Sequence, residues 1–308
     1  MNSSLTVPGN HAMEQTQTWS LVLAAGEGKR LQPCTQRADG TVVPKQYCHF
    51  RGAGTLLDQT IARQAAVSPA ERMVLVVAEQ HRRHWHGRRA RLPQHSVVVQ
   101  PRDCGTAMGL LLGLLHIARH DPFGLVVVTP ADHAVRDANG WKIALRELVT
   151  AARASACVTL LGVQPGEGGG DYGWVMPQPL PGARLFRVDR FVEKPGQDAT
   201  GELTQQGGLW STFVLAAPVR ALLELFAQTQ PWLLNLALLQ FRTAQGWEAQ
   251  SVAHFYENLP NVDFSADVLE HAPERLRVLR SDGCGWLDLG TPERLDTFLR
   301  ATGQHAVV

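Results

Sequence analysis

Short runs of β-branched and aliphatic residues alternate along the chain with longer stretches whose apolar positions recur at helical spacing. The runs Ser20–Leu23, Met73–Val77, Val97–Val99 and Leu125–Thr129 predict strands, with helices between them at Leu56–Ala66 and Thr106–Ala118. This alternation argues for βαβ units with right-handed crossovers. Leu125-Val126-Val127-Val128 is apolar throughout, which fits a sheet covered on both faces. A helix is predicted at Trp141–Ala154, then strands at Ala156–Val163, Leu185–Phe191 and Trp210–Ala216. Helices at Val219–Gln228 and Pro231–Gln245 follow, and a last strand at Arg275–Leu279 precedes Gly285-Trp286-Leu287-Asp288. No repeat or low-complexity linker interrupts the pattern. The expected fold is therefore α/β, a Rossmann-like mixed but mostly parallel sheet flanked by helices, forming a single compact domain over residues 19–300. That domain divides near residue 135 into two halves, with a disordered tail expected at residues 1–18 and a short tail at 301–308.

Composition narrows the picture mostly by exclusion. Hydrophobic residues make up 44% and charged residues 19% of 308, ordinary for a soluble globular chain. A net charge of +1 gives no global field for nucleic acid or a membrane surface, so an anion site must be local. The five cysteines are scattered, with no Cys-x-x-Cys pair and no zinc spacing, as expected for reduced thiols in the cytoplasm. The longest apolar stretch, Met108 to Leu115, is too short to span a bilayer, and the polar first eighteen residues lack a signal-peptide core. The run His81–Arg89 reads first as a solvated helix face.

Candidate chemistry gathers where strands end. Leu23-Ala24-Ala25-Gly26-Glu27-Gly28-Lys29-Arg30-Leu31 leaves the first strand, and Pro44-Lys45 follows. Small residues let backbone N–H groups approach a phosphate, and Arg30 adds a planar fork of donors matched to its oxygens. The spacing is neither the Walker A loop nor the three-glycine dinucleotide fingerprint. A plain tight turn would account for the glycines alone. Asp132 stands just past a buried strand, where ligands of open α/β sheets bind, and an acid facing phosphate calls for an intervening cation such as Mg²⁺. It also suits a helix cap. His133 beside it reads best as a satisfied structural histidine. Gln100 and Gly105-Thr106 form a second strand-to-helix junction, suited to a base edge or to a capped loop. Glu193-Lys194-Pro195 offers an acceptor for hydroxyls and a mobile cation for phosphate, or an exposed ion pair. Asp288 precedes a Gly turn and a Pro-started helix, where it completes a metal site or serves the turn.

Taken together, Leu23–Leu31, Pro44-Lys45-Gln46-Tyr47, Gln100–Ala107, Pro130-Ala131-Asp132-His133, Asp171-Tyr172-Gly173-Trp174, Phe191–Pro195, Leu209-Trp210 and Trp286–Pro292 occur in a known order. The chain resembles the sugar-1-phosphate nucleotidyltransferases over nearly its whole length. Pro-Lys-Gln-Tyr and Pro-Ala-Asp-His are most similar to the mannose-1-phosphate guanylyltransferase branch. The resemblance implies nucleotidyl transfer from a nucleoside triphosphate, GTP by this branch, to a sugar 1-phosphate, with pyrophosphate as second product. It implies that Leu23, Ala24, Ala25, Gly26 and Gly28 wrap the nucleotide, that Arg30 and Lys45 neutralise the triphosphate, and that Gln100, Gly105 and Thr106 serve the base. Asp132 and Asp288 would hold Mg²⁺, with Asp132 central to catalysis. Gly173, Glu193 and Ser211 would contact the sugar and Lys194 its phosphate. The first half, 19–135, then becomes the nucleotide half and 136–300 the sugar-phosphate half.

Three departures from the family pattern stand out. Trp210-Ser211-Thr212-Phe213 replaces Trp-Asn-Ser/Thr-Gly, shortening a polar reach and adding bulk. Gln100 and Asp103-Cys104 stand where the guanylyl pattern has an acid and an Arg-Asn pair. A C-terminal β-helix or cupin-like extension is not expected, so the chain reads as a stand-alone catalytic unit. Two other readings stay open: a weakly active nucleotide-sugar-binding paralogue, and the same reaction with dTTP or UTP and glucose 1-phosphate. Homo-oligomerisation is open as well.

Overall fold

The computed structural model describes residues 17–50, 54–89, 96–178 and 184–302. The expected tails fall mostly outside these residues, although the first strand already begins at Thr18 and the last helix reaches Thr302. The strands are β1 (Thr18–Ala24), β2 (Met73–Ala78), β3 (Val97–Gln100), β4 (Leu125–Pro130), β5 (His133–Val135), β6 (Val158–Val163), β7 (Gly173–Pro177), β8 (Leu185–Glu193), β9 (Leu209–Pro218), β10 (Leu276–Arg280) and β11 (Trp286–Asp288). Nine of them form one sheet in the order β3-β2-β1-β4-β9-β6-β10-β8-β7, while β5 and β11 pair separately.

The sheet corrects one expectation. Pairing is parallel at β3–β2, β2–β1, β1–β4 and β6–β10. It is antiparallel at β4–β9, β9–β6, β10–β8, β8–β7 and β7–β9. A mostly parallel sheet is therefore not what forms; it is mixed, with its continuous parallel block in the first half. The helical crossovers behind that block are visible as periodicity, whereas the direction of β8 and β9 depends on which distant strands they join. Gly173–Pro177, His133–Val135 and Trp286–Asp288 are strands that the sequence pattern does not announce, being too short to carry a period.

Successive residues of β1 explain its unbroken apolar character. Leu21 packs with Val76, Val128 and the helix Thr106–His120, whereas Val22 and Ala24 pack toward Leu56, Leu57 and Phe298 on the other face. The helix Leu56–Gln64 starts at a capping box in which Thr55 and Asp58 satisfy each other's backbone N–H groups. The helix predicted at Pro231–Gln245 stops at Gln240, and a further helix, Ala249–Tyr256, lies beyond the predicted set. No helix among the described residues is long and apolar enough to cross a membrane. The five cysteines are free thiols.

The helix Thr106–His120 lies close against β1 because Gly113 has no side chain. A Cβ there would run into Leu21 Cδ1 and stand 2.9 Å from Val76 Cγ2. Gly113→Ala is expected to lower stability by about 1–3 kcal/mol through overpacking, despite the better helix propensity of alanine. Urea unfolding followed by circular dichroism measures this, and an unchanged or raised midpoint would contradict the tight approach.

Candidate active site

The loop after β1 is held by a side chain from the Pro-Lys-Gln-Tyr segment. Gln46 Nε2 donates to Ala24 O at 2.8 Å and to Gly26 O at 2.9 Å. Gly28 sits at φ 62°, and a Cβ there would meet Lys45 Cβ at 3.1 Å. The left-handed turn and the close approach both favour glycine. The Leu23 carbonyl accepts from Ala131 N–H at 2.9 Å, which fixes the segment carrying Asp132 beside the loop. The register of β5 against β11 sets Asp288 opposite His133, one residue beyond Asp132.

These constraints converge on Lys45. Its side chain is 3% exposed, and Nζ lies 3.1 Å from Asp132 Oδ2 and 3.0 Å from Asp288 Oδ1. Burial alone would push the ammonium pKa down, but the two carboxylates outweigh it and raise it. Burial likewise opposes ionisation of Asp288, yet Lys45 and its neighbours hold that carboxyl at about 2. His133 Nδ1 accepts from Trp286 Nε1–H at 3.1 Å, and burial lowers the imidazole pKa. The ring is thus held neutral, with its remaining proton on Nε2, 3.9 Å from Asp132 Oδ1.

Around this buried triad opens a cavity of about 510 Å³ lined by Gly28, Arg30, Lys45, Asp132, Lys194 and Asp288 among others. Lys194 lines it from the end of β8, at φ 48°, and pairs with Glu193 at 2.8 Å. Burial raises the Glu193 pKa, and Lys194 offsets part of that rise. Gly173 is opposite Glu193 in the β7–β8 register, where a Cβ would come within 2.7 Å of Glu193 Oε2.

Other expected site residues lie elsewhere. Gln100 is buried, and its Nε2 donates to the Tyr256 hydroxyl at 3.1 Å. Gly105, at φ 85°, lies so close to Val262 that a Cβ would overlap its carbonyl oxygen. Thr106 Oγ1 donates to Asp263 and accepts from Phe264 N–H. These three do not line the cavity; from that loop Asp103 does. Ser211 Oγ accepts from the N–H of Phe213, and Phe213 occupies a left-handed φ of 58° with its ring edge-on to Phe264 at 5.9 Å. The position where the family pattern has glycine thus keeps a glycine-like backbone while carrying an aromatic ring.

Two residues of the site received no role from the sequence, although Asp171 lies in the Asp171–Trp174 segment that carries the resemblance. Asp171 accepts from Arg30 Nη1 at 2.9 Å and also from Arg294 Nη2. Arg294 lies over the Tyr172 ring at 4.0 Å, with Nη1 3.6 Å from Asp288 Oδ2. Arg294 belongs to the C-terminal helix Pro292–Thr302, and only the tertiary structure links it to the cleft.

The donor set suits Mg²⁺. Asp132 and Asp288 supply hard carboxylate oxygens, each engages Lys45 through one oxygen only, and Asp132 is 34% exposed toward the cleft. A hexacoordinate Mg²⁺ typically takes one or two such carboxylates and completes its shell with phosphate oxygens and water. Among the described residues no group of three or more His, Cys, Asp or Glu could hold a metal alone.

Glycine-shaped turns, a buried ammonium and exposed cations come together in this α/β fold at one cavity beyond the ends of β1, β4 and β8. The chain belongs to the nucleotidyl transferase family, which matches residues 19–304. It is 29% identical over 212 residues to the mannose-1-phosphate guanylyltransferase of Escherichia coli K12, covering 64% of this chain and 43% of that protein. It is 27% identical to the alginate biosynthesis protein AlgA of Pseudomonas syringae, covering 88% and 56% of the two chains. The chain thus spans about half the length of these curated relatives. A Thermus thermophilus crystal structure described as mannose-1-phosphate geranyltransferase superposes with a TM-score of 0.76 at 29% identity, over 89% of this chain and 76% of that one.

The depressed Asp288 pKa ties stability to pH. Its unfolded value is about 3.9, so the favourable contribution is complete above that value and is lost as pH falls toward 2. Across roughly pH 5 to 2 this group should cost the wild type on the order of 2 kcal/mol, and Asp288→Asn should lack that component. Urea midpoints of both proteins across the range measure it; parallel slopes would contradict the Lys45–Asp288 coupling.

Proposed function

We propose that the protein transfers a nucleoside monophosphate from a nucleoside triphosphate to a sugar 1-phosphate, releasing pyrophosphate. The observation that carries this reading is the buried Lys45 ammonium, clasped by Asp132 and Asp288 in a cavity that Arg30 and Lys194 also line. Family membership and the names of the relatives support GTP and mannose 1-phosphate as the substrates.

The chemical obstacle is the approach of two anions, since a phosphate monoester alone carries roughly −1.5 to −2 charges at neutral pH. The attacking oxygen is already ionised, so no side-chain nucleophile is required. Positioning and charge stabilisation carry the barrier. The backbone around Gly26–Gly28 would seat the triphosphate. Arg30 would present its fork to equatorial oxygens and the leaving pyrophosphate. Lys45 cannot swing, so it would act as a fixed charge that orients Asp132 and Asp288. Lys194, at the turn after β8, would hold the phosphate of the sugar 1-phosphate. Mg²⁺ on Asp132 and Asp288 would supply neutralisation of phosphate charge.

Base selection needs its own test, because Gln100, Gly105 and Thr106 already engage Tyr256, Val262 and the Asp263-Phe264 pair. Pyrophosphate release measured over a grid of GTP, dTTP, UTP, CTP and ATP against mannose and glucose 1-phosphates, with Mg²⁺, should show one preferred pair. Nucleotide-sugar binding without release anywhere in the grid would replace the transferase reading with the binding paralogue. With the preferred pair, Asp132→Asn should abolish nearly all turnover while retaining the fold. Arg30→Ala should lower kcat on the order of 10²-fold, the scale of losing one transition-state donor. Near wild-type turnover in either variant would sink these roles.

A further inference from the structure

The cations around the cleft each carry a carboxylate already. Lys29 pairs with Glu27 at 2.9 Å, Arg30 with Asp171 at 2.9 Å and Lys194 with Glu193 at 2.8 Å. All three cations are more than half exposed, at 76%, 55% and 54%. Among the described residues, Asp171 alone of these three carboxylates also holds a second cation. Its two oxygens are divided: Oδ2 takes Arg30 and Oδ1 takes Arg294.

The two arginines differ in freedom. Arg30 sits on a short turn, Lys29–Leu31, with its fork largely in solvent. Arg294 is only 20% exposed, packed on Tyr172 and directed at Asp288, with its Nη1 buried and making no hydrogen bond among the described residues. Arg30 can therefore leave Asp171 without opening the Arg294 contact.

The geometry points to Asp171 as a built-in anion that occupies Arg30 until a polyphosphate takes its place, with Arg294 as the positioning residue that keeps Asp171 paired after the exchange. Asp171 holds Arg30 through Nη1 alone, and a phosphate engaging the guanidinium fork needs that same donor, so the two compete for it. An exposed ion pair of this kind is weak, so a polyphosphate displaces it readily. Without Arg294, the displaced carboxylate would face both Asp288 and the incoming polyanion unpaired, and it would hold Arg30 more tightly. The assignment of Arg30 to phosphate rests on the proposed transferase reading; the exchange itself needs only that a polyphosphate enters the cavity.

The test is calorimetric titration of the full chain with inorganic tripolyphosphate, and separately with GTP and Mg²⁺, at two salt concentrations. Asp171→Asn should tighten tripolyphosphate binding about two- to fivefold, an effect that shrinks at high salt. Arg294→Gln should weaken binding by a similar factor in the wild-type background and have no effect in the Asp171→Asn background. With the preferred substrate pair, both changes should appear in KM for the triphosphate rather than in kcat. Asp171→Asn that leaves tripolyphosphate affinity unchanged or weaker overturns the exchange. Additive effects in the double variant overturn it too, since they would report only the summed field of two charges. Arg294→Lys, which keeps the charge and loses the fork, should lie between wild type and Arg294→Gln; it replaces the Gln variant if that one fails to fold. Tighter tripolyphosphate binding in Asp171→Asn, alongside silence across the substrate grid, would keep the exchange and remove the transferase reading. Turnover with no tightening would do the reverse.

Discussion

A buried ammonium with two carboxylates joins three distant parts of the chain at one point. Lys45 follows the loop segment, Asp132 follows β4 and Asp288 ends β11, more than 240 residues from Lys45 along the sequence. Leaving the Lys45 ammonium without a partner would be strongly unfavourable, of the order of 3–5 kcal/mol, and of its two carboxylates Asp288 is the more buried. The cluster therefore constrains the fold as much as the chemistry. It lies where β11 pairs with β5, just ahead of the C-terminal helix Pro292–Thr302. Arg294 then reaches Asp288 and Asp171 from that helix.

The sheet makes this convergence available. In the parallel block, β1 and β4 run side by side, so the loop after one and the acid after the other emerge at the same edge. The antiparallel strands add what a parallel sheet alone would not. The β7–β8 pairing puts Gly173 against Glu193, and the turn after β8 delivers Lys194 to the cavity that Arg30 lines from the first half. The lining of one cavity thus comes from two different kinds of strand pairing within one continuous layer.

The parts legible in the sequence were those governed by local rules. Apolar runs bounded by small residues located β1, β2, β4 and the helices behind them. Carboxylates just past buried strands marked Asp132, and the Gly turn marked Asp288. What escaped was governed by distant partners. Gln100 looked like an open amide at a strand end, but its partner Tyr256 lies 156 residues away. Arg294 sits on an amphipathic helix face that any surface helix would share, and only the ring of Tyr172 and the carboxylate of Asp171 give it a role. The mostly parallel expectation failed because β8 and β9, though legible as strands, give no local sign of direction, which depends on the distant strands they join.

The departures from the family pattern are connected in space, although they are separated in sequence. Arg102, beside Asp103-Cys104, donates to the carbonyls of Tyr256, Glu257 and Leu259. Val262 N–H donates to the Cys104 carbonyl, and Ala107 N–H donates to the Val262 carbonyl. The segment 256–264 is thereby stitched along the loop where the resemblance places base recognition. On its other side Phe264 meets the ring of Phe213, the residue that stands in place of the usual glycine. A ring at position 213 and a glycine at 105 are therefore complementary: the first supports the segment, and the second leaves room for its backbone, since a Cβ at Gly105 would strike the Val262 carbonyl oxygen. Neither Gly105 nor Phe213 lines the cavity that holds Lys45, Asp132 and Asp288. The departures at 103–104 and at 213 thus meet through one segment, 256–264, which contributes no residue to the cavity around Lys45.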